Sequence, residues 1–421
     1  MHVETLEILR CPYCGARLEL VESLFHQKTA AEIHDGILGC HCCVFPVVDG
    51  IPVLHLQPAA VTARDQVQAG RPELARRTMI GLDDEAQAAG FEAAAASDAA
   101  TYRDTVAALG PNFEAGYFLY RFSDPTYVVA DAAVRTVANI VLHGQRRAID
   151  ICGGSGHLTR SLMTVSSPPP VLADLYFAKV WLARRFTAPG CEPVCCDGNA
   201  PFPFARGTFA LAMCTDAFMY IWTKRQFVGE MERLVDDVRR ADGEPGAVLI
   251  GHTHNERTWT PSHGQPLSPA GYRDLFEALE PRVFGEAGLF DDVVNRGILD
   301  LARHDAADTL DRDPALTILA TRHEGVFATH RVEAMPAARA TGEFRLNPLY
   351  TAIPDGERVQ LRLQFPSEDY ADEYGACRAY LPDEVTVDRE AIEALPGAAV
   401  ARSLAPLVTS RVILDLPKRY Y

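Results

Sequence analysis

The sequence predicts an α/β protein built around a doubly wound, mostly parallel sheet, and three observations support this. Apolar runs of strand length recur along the middle of the chain, at residues 148–151, 170–173, 192–196, 209–214 and 246–251. Helical patterns lie between these runs, the clearest being "WTKRQFVGEMERLVDDVRR". The stretch "AIDICGGSGHLT" combines a short strand, a glycine-rich turn and the start of a helix, which is typical of a nucleotide-binding corner. Such alternation predicts parallel strands with helices on both faces.

Three further segments flank the predicted core, which we place at residues 130–323. Residues 1–56 are rich in cysteine, and residues 57–129 are rich in alanine and acids, which predicts a helical linker or lid. The runs "RVFGEAGLFDDVV" and "ALTILATR" are expected to add strands at the end of the sheet. Residues 324–421 contain apolar–polar alternation around "PDGE", which predicts a β-hairpin within a β-rich or mixed C-terminal lobe.

Composition and charge make nucleic acid and membrane partners unfavourable and indicate the cellular compartment. The 421 residues carry 56 acids against 40 lysines and arginines, a formal net charge of −16, which repels phosphate backbones. No apolar run approaches the roughly 18 residues of a membrane span. The first residues carry acids where a signal peptide would need basic ones, so we expect a cytoplasmic protein. In that reducing compartment, five cysteines within the first 43 residues favour a metal site over disulfides.

The cysteine spacing predicts a structural zinc site. Cys11-Pro-Tyr-Cys14 is followed by Cys40-His-Cys42-Cys43, and two such knuckles converge on a tetrahedral zinc ion. We assign the ligands as Cys11, Cys14, Cys40 and Cys43. Participation of His41 or Cys42 stays open. Four thiolates leave no position for water, so this zinc is expected to be structural rather than catalytic.

The same segment resembles a known family over about residues 5–56. "LEILRCPYC" followed by "CHCCVFPVVDGIPVL" is similar to the zinc-ribbon family of the small activator subunit of tRNA and rRNA methyltransferases. The resemblance implies a zinc ribbon that acts as a scaffold for a methyltransferase and is fused to it here. It does not by itself imply an RNA substrate.

A second resemblance covers about residues 130–323. "AIDICGGSGHLT" is similar to motif I of class I S-adenosylmethionine-dependent methyltransferases, with Asp150, Gly154 and Gly156 on the pattern and Cys152 where its first glycine is expected. This resemblance implies a Rossmann-like methyltransferase sheet and S-adenosylmethionine as cofactor. Nicotinamide enzymes use a close variant of the glycine loop, so the loop alone is weak support.

Residues further along the chain extend the predicted cofactor site. Asp174 ends the second strand, where a carboxylate can accept both ribose hydroxyls, and the resemblance implies that Asp197 receives the adenine amino group. The full predicted set is Asp150, Gly153, Gly154, Gly156, Asp174, Leu175, Asp197, Gly198 and Thr215. Each acid also has a structural alternative: Asp150 as an organiser of the loop, Asp174 as a helix N-cap, and Asp197 as a turn residue.

The candidate catalytic residues lie after the fourth and fifth strands. "AVLIGHTHNERTW" places His252 and His254 at the rim of the sheet, on one side of the strand, as a base or a substrate ligand. Tyr220 joins this set as a wall of the pocket, with Trp222 beside it. The histidines could instead be structural, or hold a second metal for which no third ligand stands at motif spacing. The aromatic run 117–122 offers Tyr120 and Arg121 as lid residues, or simply as core.

Three functions remain open at this point. The leading hypothesis is a methyltransferase that acts on a small molecule, with no nucleic acid or membrane partner and with a homodimer left open. The second is a methyltransferase that acts on RNA or protein. The third is a non-catalytic zinc-bearing scaffold with a degenerate cofactor fold, for which Cys152 in a glycine position is the warning sign.

Overall fold

The computed structural model describes residues 1–21, 25–110, 118–143, 146–237, 243–260, 264–332, 342–397, 399–400 and 402–421. Its strands are β1 (Glu19–Val21), β2 (Gln27–Lys28), β3 (Ile33–Gly39), β4 (Val44–Val48), β5 (Ile51–Pro52), β6 (Ala148–Ile151), β7 (Val171–Asp174), β8 (Glu192–Cys195), β9 (Leu211–Thr215), β10 (Ala247–His254), β11 (Pro281–Gly285), β12 (Ile298–Asp300), β13 (Ala315–Thr321), β14 (Thr329–Arg331), β15 (Gly342–Leu346), β16 (Tyr350–Asp355), β17 (Arg358–Leu363), β18 (Glu384–Asp388) and β19 (Ile413–Pro417).

The α-helices of the described residues are α1 (Pro58–Gln68), α2 (Pro72–Ile80), α3 (Glu85–Ala96), α4 (Tyr102–Leu109), α5 (Pro125–Val141), α6 (Thr159–Leu162), α7 (Phe177–Leu182), α8 (Lys224–Leu234), α9 (Pro269–Arg273), α10 (Glu286–Asp291), α11 (Ala307–Leu310), α12 (Glu368–Tyr374), α13 (Arg389–Glu393) and α14 (Ala405–Thr409). Within this described part of the chain, none of the helices has the length and apolar character needed to cross a bilayer.

A seven-stranded sheet in the order β11-β13-β10-β9-β6-β7-β8 forms the core. Strands β10, β9, β6, β7 and β8 run parallel, and β13 lies antiparallel between β10 and β11. Every residue of β6, β7 and β8 is buried, as expected where helices cover both faces. The predicted doubly wound, mostly parallel sheet is confirmed, including both late strands.

The strand order reverses between β6 and β9, which defines the topological switch point of the sheet. From β6 the chain first proceeds outward through β7 to β8 and then returns to β9 on the other side of β6. In open α/β sheets, ligands bind in the crevice outside the carboxyl ends of the strands at this point. The carboxyl ends of β6, β9 and β10 are therefore the first place to look for a site.

The cysteine-rich module, residues 1–56, is a small sheet that docks on the outer edge of the core, and we call it the ribbon. Strands β1, β3, β4 and β5 pair in that order, and β2 pairs with β3. The backbone N–H of Leu54 donates to the carbonyl of Cys195 in β8 (2.7 Å), and the N–H of Arg10 donates to the carbonyl of Pro203 (2.9 Å). The first of these bonds pairs a backbone carbonyl of β8 that an open edge would leave unpaired, and the second attaches the module to the loop after β8.

Residues 58–109 form four helices that cover the ribbon and one face of the core, as the alanine-rich sequence predicts. Helix α4 begins with a capping box in which Thr101 and Asp104 satisfy each other's backbone N–H groups. Phe91 of α3 packs on Trp181 of the core, with ring centroids 5.2 Å apart. Helix α5 runs through residue 130, where we placed the predicted core boundary.

The C-terminal lobe contains the predicted hairpin. Strands β16 and β17 pair antiparallel through a two-residue turn between Asp355 and Arg358, where Gly356 has a φ of +59°. Strand β18 completes this small sheet, while β19 pairs with β15. The lobe is therefore of mixed β-rich character, as the sequence predicts.

A polar junction joins the ribbon to the core around Asp49. The carboxylate of Asp49 accepts from the indole N–H of Trp181 (2.5 Å) and lies 3.1 Å from Nε2 of His34. Nδ1 of His34 lies 2.7 Å from the carboxylate of Asp35. Hydrogen bonds to Asp35 and Asp49 raise the pKa of His34 to about 9. The junction is thus an imidazolium held between two carboxylates at neutral pH.

This junction predicts a loss of stability at alkaline pH. Because the pKa of His34 is raised on folding, its stabilising contribution is complete below its ordinary pKa of about 6.5 and is lost as the pH rises through about 9. We expect His34→Gln to have a lower Tm than the wild type at pH 6, and the gap to close by pH 10. The effect should stay below about 1 kcal/mol, because the side chain is half exposed.

The control for this measurement is His304→Gln, which changes an exposed histidine outside the junction. Thermal unfolding of the three proteins between pH 6 and pH 10 gives the comparison. A gap between wild type and His34→Gln that is constant over this range would contradict the assignment.

Candidate functional site

Unusual backbone conformations concentrate at the switch point of the sheet. Cys152, Asp216 and His252 have left-handed φ values of 58°, 59° and 46°, although none of them is glycine. Cys152 directly follows β6, Asp216 directly follows β9, and His252 lies at an irregularity near the end of β10. A left-handed residue other than glycine costs on the order of 1–3 kcal/mol and is found mostly at functional sites. Three neighbouring strands, β6, β9 and β10, thus each have a left-handed residue at or near their carboxyl ends, at one edge of the sheet.

The glycine loop after β6 combines tight packing with one open face. A Cβ on Gly153 would stand 2.4 Å from Leu172 Cδ1, and a Cβ on Gly156 would stand 2.8 Å from Ala183 Cβ. Gly154, in contrast, has a φ of +55°, and a Cβ there would meet no atom within 4 Å. Two glycines therefore let the loop pack on the core, while the third borders space that a ligand could occupy.

Asp150, at the end of β6, links the start of the glycine loop to the helix that follows the loop. It is fully buried and accepts a hydrogen bond from the Thr159 hydroxyl (2.6 Å) at the start of α6. Burial raises its pKa to about 7. The contact is the one expected of a loop organiser, and direct contact between Asp150 and a cofactor stays a prediction.

Asp174 lies at the carboxyl end of β7, facing the glycine loop. Its Oδ2 accepts from the N–H of Gly154 and its Oδ1 from the N–H of Tyr176, both at 2.9 Å. A carboxylate oxygen has two lone pairs and can accept more than one hydrogen bond. The bond from Tyr176 is that of a turn before the helix, whose N-cap is Tyr176 and not Asp174. The ribose contact of Asp174 stays a prediction.

The remaining predicted cofactor residues surround the same edge. Oδ1 of Asp197 accepts from the N–H of Asn199 (2.8 Å), as in a turn, and the Leu175 carbonyl accepts from the Cys195 thiol (3.2 Å). A Cβ on Gly198 would stand 3.3 Å from Cys152 Sγ. Cys152 therefore packs beneath this edge.

Thr215 provides the observation that best fits a bound group. Its hydroxyl oxygen at the end of β9 is buried and has no hydrogen-bond partner among the described residues. A buried hydroxyl without a partner is costly, so a ligand that accepts from or donates to it would be favoured. Together with the space beside Gly154 and the Asp174 carboxylate at the end of β7, it makes a set of residues that fits S-adenosylmethionine.

On the other side of β9, His252 forms a close pair with Glu286. The Glu286 carboxylate accepts from the backbone N–H of His252 (2.7 Å), and its second oxygen lies 2.6 Å from Nδ1. Thr317 donates a third hydrogen bond to the same carboxylate (2.8 Å). Burial opposes the imidazolium, but the charge of Glu286 outweighs it and raises the pKa of His252 to about 9. His252 is therefore a cation at neutral pH and a poor base.

His254 has the opposite character. Burial and the positive charge of His252 lower its pKa below the ordinary value, so its imidazole is neutral at pH 7. The two rings lie 5.7 Å apart in a T-shaped arrangement, and Nδ1 of His254 lies 3.4 Å from the Thr260 hydroxyl. Of the two predicted histidines, His254 is the one with the protonation state of a general base.

Arg121 reaches this side of the site from outside the sheet. It is only 5% exposed, and its guanidinium lies 3.1 Å from the Asp216 carboxylate and donates to the Thr126 hydroxyl (2.7 Å). Tyr120 instead packs on Tyr370 of the C-terminal lobe, with ring centroids 5.5 Å apart. The structure thus brings one of the two predicted lid residues, Arg121, to Asp216 on the side of the site that carries His252 and His254.

Two predicted wall residues line the approach to this edge. Tyr220 is half exposed in a 3₁₀ turn after β9, and Trp222 is 73% exposed. Tyr117 lies outside the described residues. Sequence reasoning missed Glu286; its signal was an acid that begins the helix directly after the β11 strand.

The metal site has the predicted cysteine character but a different fourth member. The sulfur atoms of Cys11, Cys14, Cys40 and Cys42 all lie within 4.8 Å of one another, with several pairs at 3.6–3.7 Å. A tetrahedral zinc ion with Zn–S bonds of about 2.3 Å needs sulfurs about 3.8 Å apart. The set therefore fits zinc.

Cys43, which we predicted as a ligand, lies next to this group instead of in it. Its carbonyl accepts from the N–H of Cys40 (2.9 Å) and closes the hairpin between β3 and β4. Cys43 directly precedes β4, and its Sγ lies 3.4 Å from that of Cys42, so its thiol borders the group of four. The spacing of the cysteines could not distinguish the two, because both follow Cys40 within three residues.

Comparisons with known proteins give similarity at the level of structure. No protein-family model matches the chain, and no curated protein matches it. Similar solved structures include a complex of the methyltransferase activator Trm112 of Haloferax volcanii with a candidate methyltransferase (14% identity, TM-score 0.35, covering 49% of this chain and 95% of that one). Another is an S-adenosylmethionine-dependent methyltransferase from Mesorhizobium loti (14%, 0.31, 43% and 93%).

A third similar structure is a sugar N-methyltransferase from a Streptoalloteichus species (18% identity, TM-score 0.33, covering 47% of this chain and 88% of that one). Similarity of this degree carries no information on activity or on individual site residues. The fold of the core is established by its own strand order and strand directions.

The sulfur geometry predicts which cysteine variant loses zinc. We expect Cys42→Ser to retain much less zinc than the wild type after dialysis, because it removes one of four converging thiolates. Cys43→Ser is the matched control and should keep about one zinc per chain. Elemental analysis of the purified proteins measures both. Zinc loss in Cys43→Ser alone would restore our original assignment.

The His252–Glu286 pair predicts a large change in titration. In Glu286→Gln the charge that stabilises the imidazolium is gone while burial remains, so the pKa of His252 should fall from about 9 to about 6.5 or below. Histidine NMR titration measures this directly. Glu277→Gln, which changes an exposed glutamate at a surface ion pair, is the control. A pKa near 9 in Glu286→Gln would show that the pair is not the cause.

Proposed function

We propose that this protein is an S-adenosylmethionine-dependent methyltransferase that acts on a small-molecule acceptor. The observation that carries the proposal is the meeting, at one edge of the sheet, of two complementary half-sites. One consists of the open glycine loop, Asp174 and the unpartnered Thr215 hydroxyl. The other consists of a neutral His254 beside a cationic His252. A group-transfer enzyme needs this combination of a cofactor corner and an adjacent acceptor site.

In this proposal the cofactor corner lies along β6, β7 and β9. Asp174 would accept hydrogen bonds from ribose hydroxyls, and Thr215 would bind a polar group near the methionyl end. The cofactor supplies an electrophilic methyl group carried on a sulfonium. Gly154 would let the loop approach the cofactor closely, while Gly153 and Gly156 let the loop pack on the core.

The acceptor side supplies proton handling and orientation. His254, neutral at pH 7, takes the proton from an acceptor hydroxyl or protonated amine. His252 stays protonated through its pair with Glu286 and so donates hydrogen bonds instead of competing for that proton. The two histidines thereby have separate roles set by their surroundings. Tyr220 and Trp222 would form the aromatic wall of the acceptor pocket.

A small-molecule acceptor is favoured by the charge of the chain. A formal net charge of −16 opposes binding to a phosphate backbone. The specific observation in favour of the RNA or protein alternative is the ribbon, which carries the four converging cysteines and pairs with β8.

We propose that the zinc of the ribbon is structural, because four thiolates complete the coordination. The cytoplasm remains the proposed location, in keeping with eleven free thiols.

Binding of S-adenosylhomocysteine is the test. Calorimetric titration of the zinc-loaded wild type should show binding in the micromolar range. Asp174→Ala should weaken it by about 10- to 100-fold, because the carboxylate supplies more than one charge-assisted hydrogen bond. Asp84→Ala is the control, since Asp84 also accepts a backbone N–H at a helix start but lies in the helical layer.

Circular dichroism of each variant separates a binding defect from unfolding. If the folded, zinc-loaded wild type does not bind S-adenosylhomocysteine, the methyltransferase proposal is wrong and the scaffold hypothesis takes its place. If the wild type binds and mass spectrometry finds no methylated product with any acceptor class, the chain is a cofactor-binding scaffold.

A further inference from the structure

The C-terminal lobe grips the short segment that carries Arg121. The hydroxyl of Tyr380 donates to the Ser123 carbonyl (2.6 Å), and the Ser123 hydroxyl donates to Oδ1 of Asn347 (2.9 Å). The guanidinium of Arg411 donates to the Phe122 carbonyl (2.6 Å). These three bonds come from widely separated parts of the lobe and converge on residues 122–123.

A fourth bond extends the grip to the start of α5. Tyr370 donates to the carboxylate of Asp124, which is completely buried and precedes Pro125, the first residue of the helix. Two of these lobe residues are also bonded to each other, because the buried Asn347 amide donates to the Arg411 carbonyl (2.9 Å). We call Asn347, Tyr370, Tyr380 and Arg411 the clamp.

Arg121 is the residue next to the gripped segment. One nitrogen of its guanidinium lies 3.7 Å from the Asp124 carboxylate, and another extends toward the sheet. Its side chain leaves the 3₁₀ turn at Arg121–Ser123 and meets Asp216 at the carboxyl end of β9 (3.1 Å). The backbone segment that the lobe holds, residues 122–123, thus positions the buried guanidinium of Arg121 at the edge of the sheet where the two histidines lie. A displacement of the backbone at residue 122 or 123 would move this guanidinium.

We propose that the C-terminal lobe is a positioning device for the acceptor site, which holds Arg121 against Asp216 through the clamp. The inference rests on the proposed function, because it takes the β9–β10 edge to be the place where the acceptor binds. Tyr380, Asn347, Tyr370 and Arg411 are positioning residues in this scheme, since they act through Arg121. The lobe is then part of the enzyme's acceptor specificity instead of an appended domain.

His252 reports the position of Arg121 without any acceptor. The charged and titratable groups that face its ring are Glu286 from α10, Asp216 after β9, Arg121 from the clamped segment, and His254 on its own strand. Glu286 and Asp216 favour the imidazolium, whereas Arg121 disfavours it. Displacement of Arg121 should therefore raise the pKa of His252.

The experiment is a histidine NMR titration of the full, zinc-loaded chain with labelled histidine. Arg121→Gln gives the reference shift, and His252→Gln identifies the resonance. The clamp variant Tyr380→Phe/Ser123→Ala removes two of the four bonds and leaves the ring of Tyr380 in place. The matched control is Tyr350→Phe/Ser410→Ala, which removes a tyrosine and a serine hydrogen bond to carbonyls inside the lobe.

We expect the pKa of His252 to rise in Arg121→Gln and in the clamp variant, by less in the latter, and to be unchanged in the control. The single variant Tyr380→Phe serves if the double variant does not fold. No shift in the clamp variant, no shift in Arg121→Gln, or an equal shift in the control would each overturn the proposal. The affinity for S-adenosylhomocysteine is measured in parallel: its absence in the wild type would refute the methyltransferase function and leave the His252 comparison interpretable.

Discussion

The guanidinium of Arg160 is buried in the core, and its ion pair with Asp415 fixes the last strand, β19, against the glycine loop. Arg160 follows the glycine loop on α6 and donates to the carbonyl (2.8 Å) and carboxylate (3.1 Å) of Asp415 in β19, 255 residues later. Breaking a buried pair of this kind costs about 3–5 kcal/mol. The same guanidinium lies 5.7 Å from the Phe122 ring centroid, beside the segment that the clamp grips. The glycine loop, the last strand and the Arg121 segment thus share one anchor.

The two histidines of β10 show how neighbouring groups of one type acquire different protonation states. Two histidines two residues apart in one strand have pKa values displaced in opposite directions, one by a facing carboxylate and the other by burial next to a cation. The separation depends on Glu286, which a different helix supplies. Pairs of titratable groups whose environments push them apart are a recurring way of assigning proton acceptor and proton donor.

The ribbon stabilises the molecule at two places. Its four thiolates are placed to bind a metal in a segment too short to bury a core of its own. Its backbone and the Asp49 junction then attach it to β8 and to Trp181 of the core. The ribbon, the helical layer and the sheet therefore form one continuous packed structure, with Phe91 of the helical layer also on Trp181.

The sequence by itself determined the features that depend on residues close together in the chain. Apolar periodicity predicts the strands from β6 to β10, the turn at Gly356 predicts the hairpin, and the glycine loop predicts the cofactor corner. Only the tertiary structure brings the Cys42 thiol into the group of four, pairs His252 with Glu286, 34 residues away, and sets the C-terminal lobe against the Arg121 segment. Periodicity and spacing report the local path of the backbone, whereas these choices depend on which distant side chains meet when the sheet and its flanking layers pack.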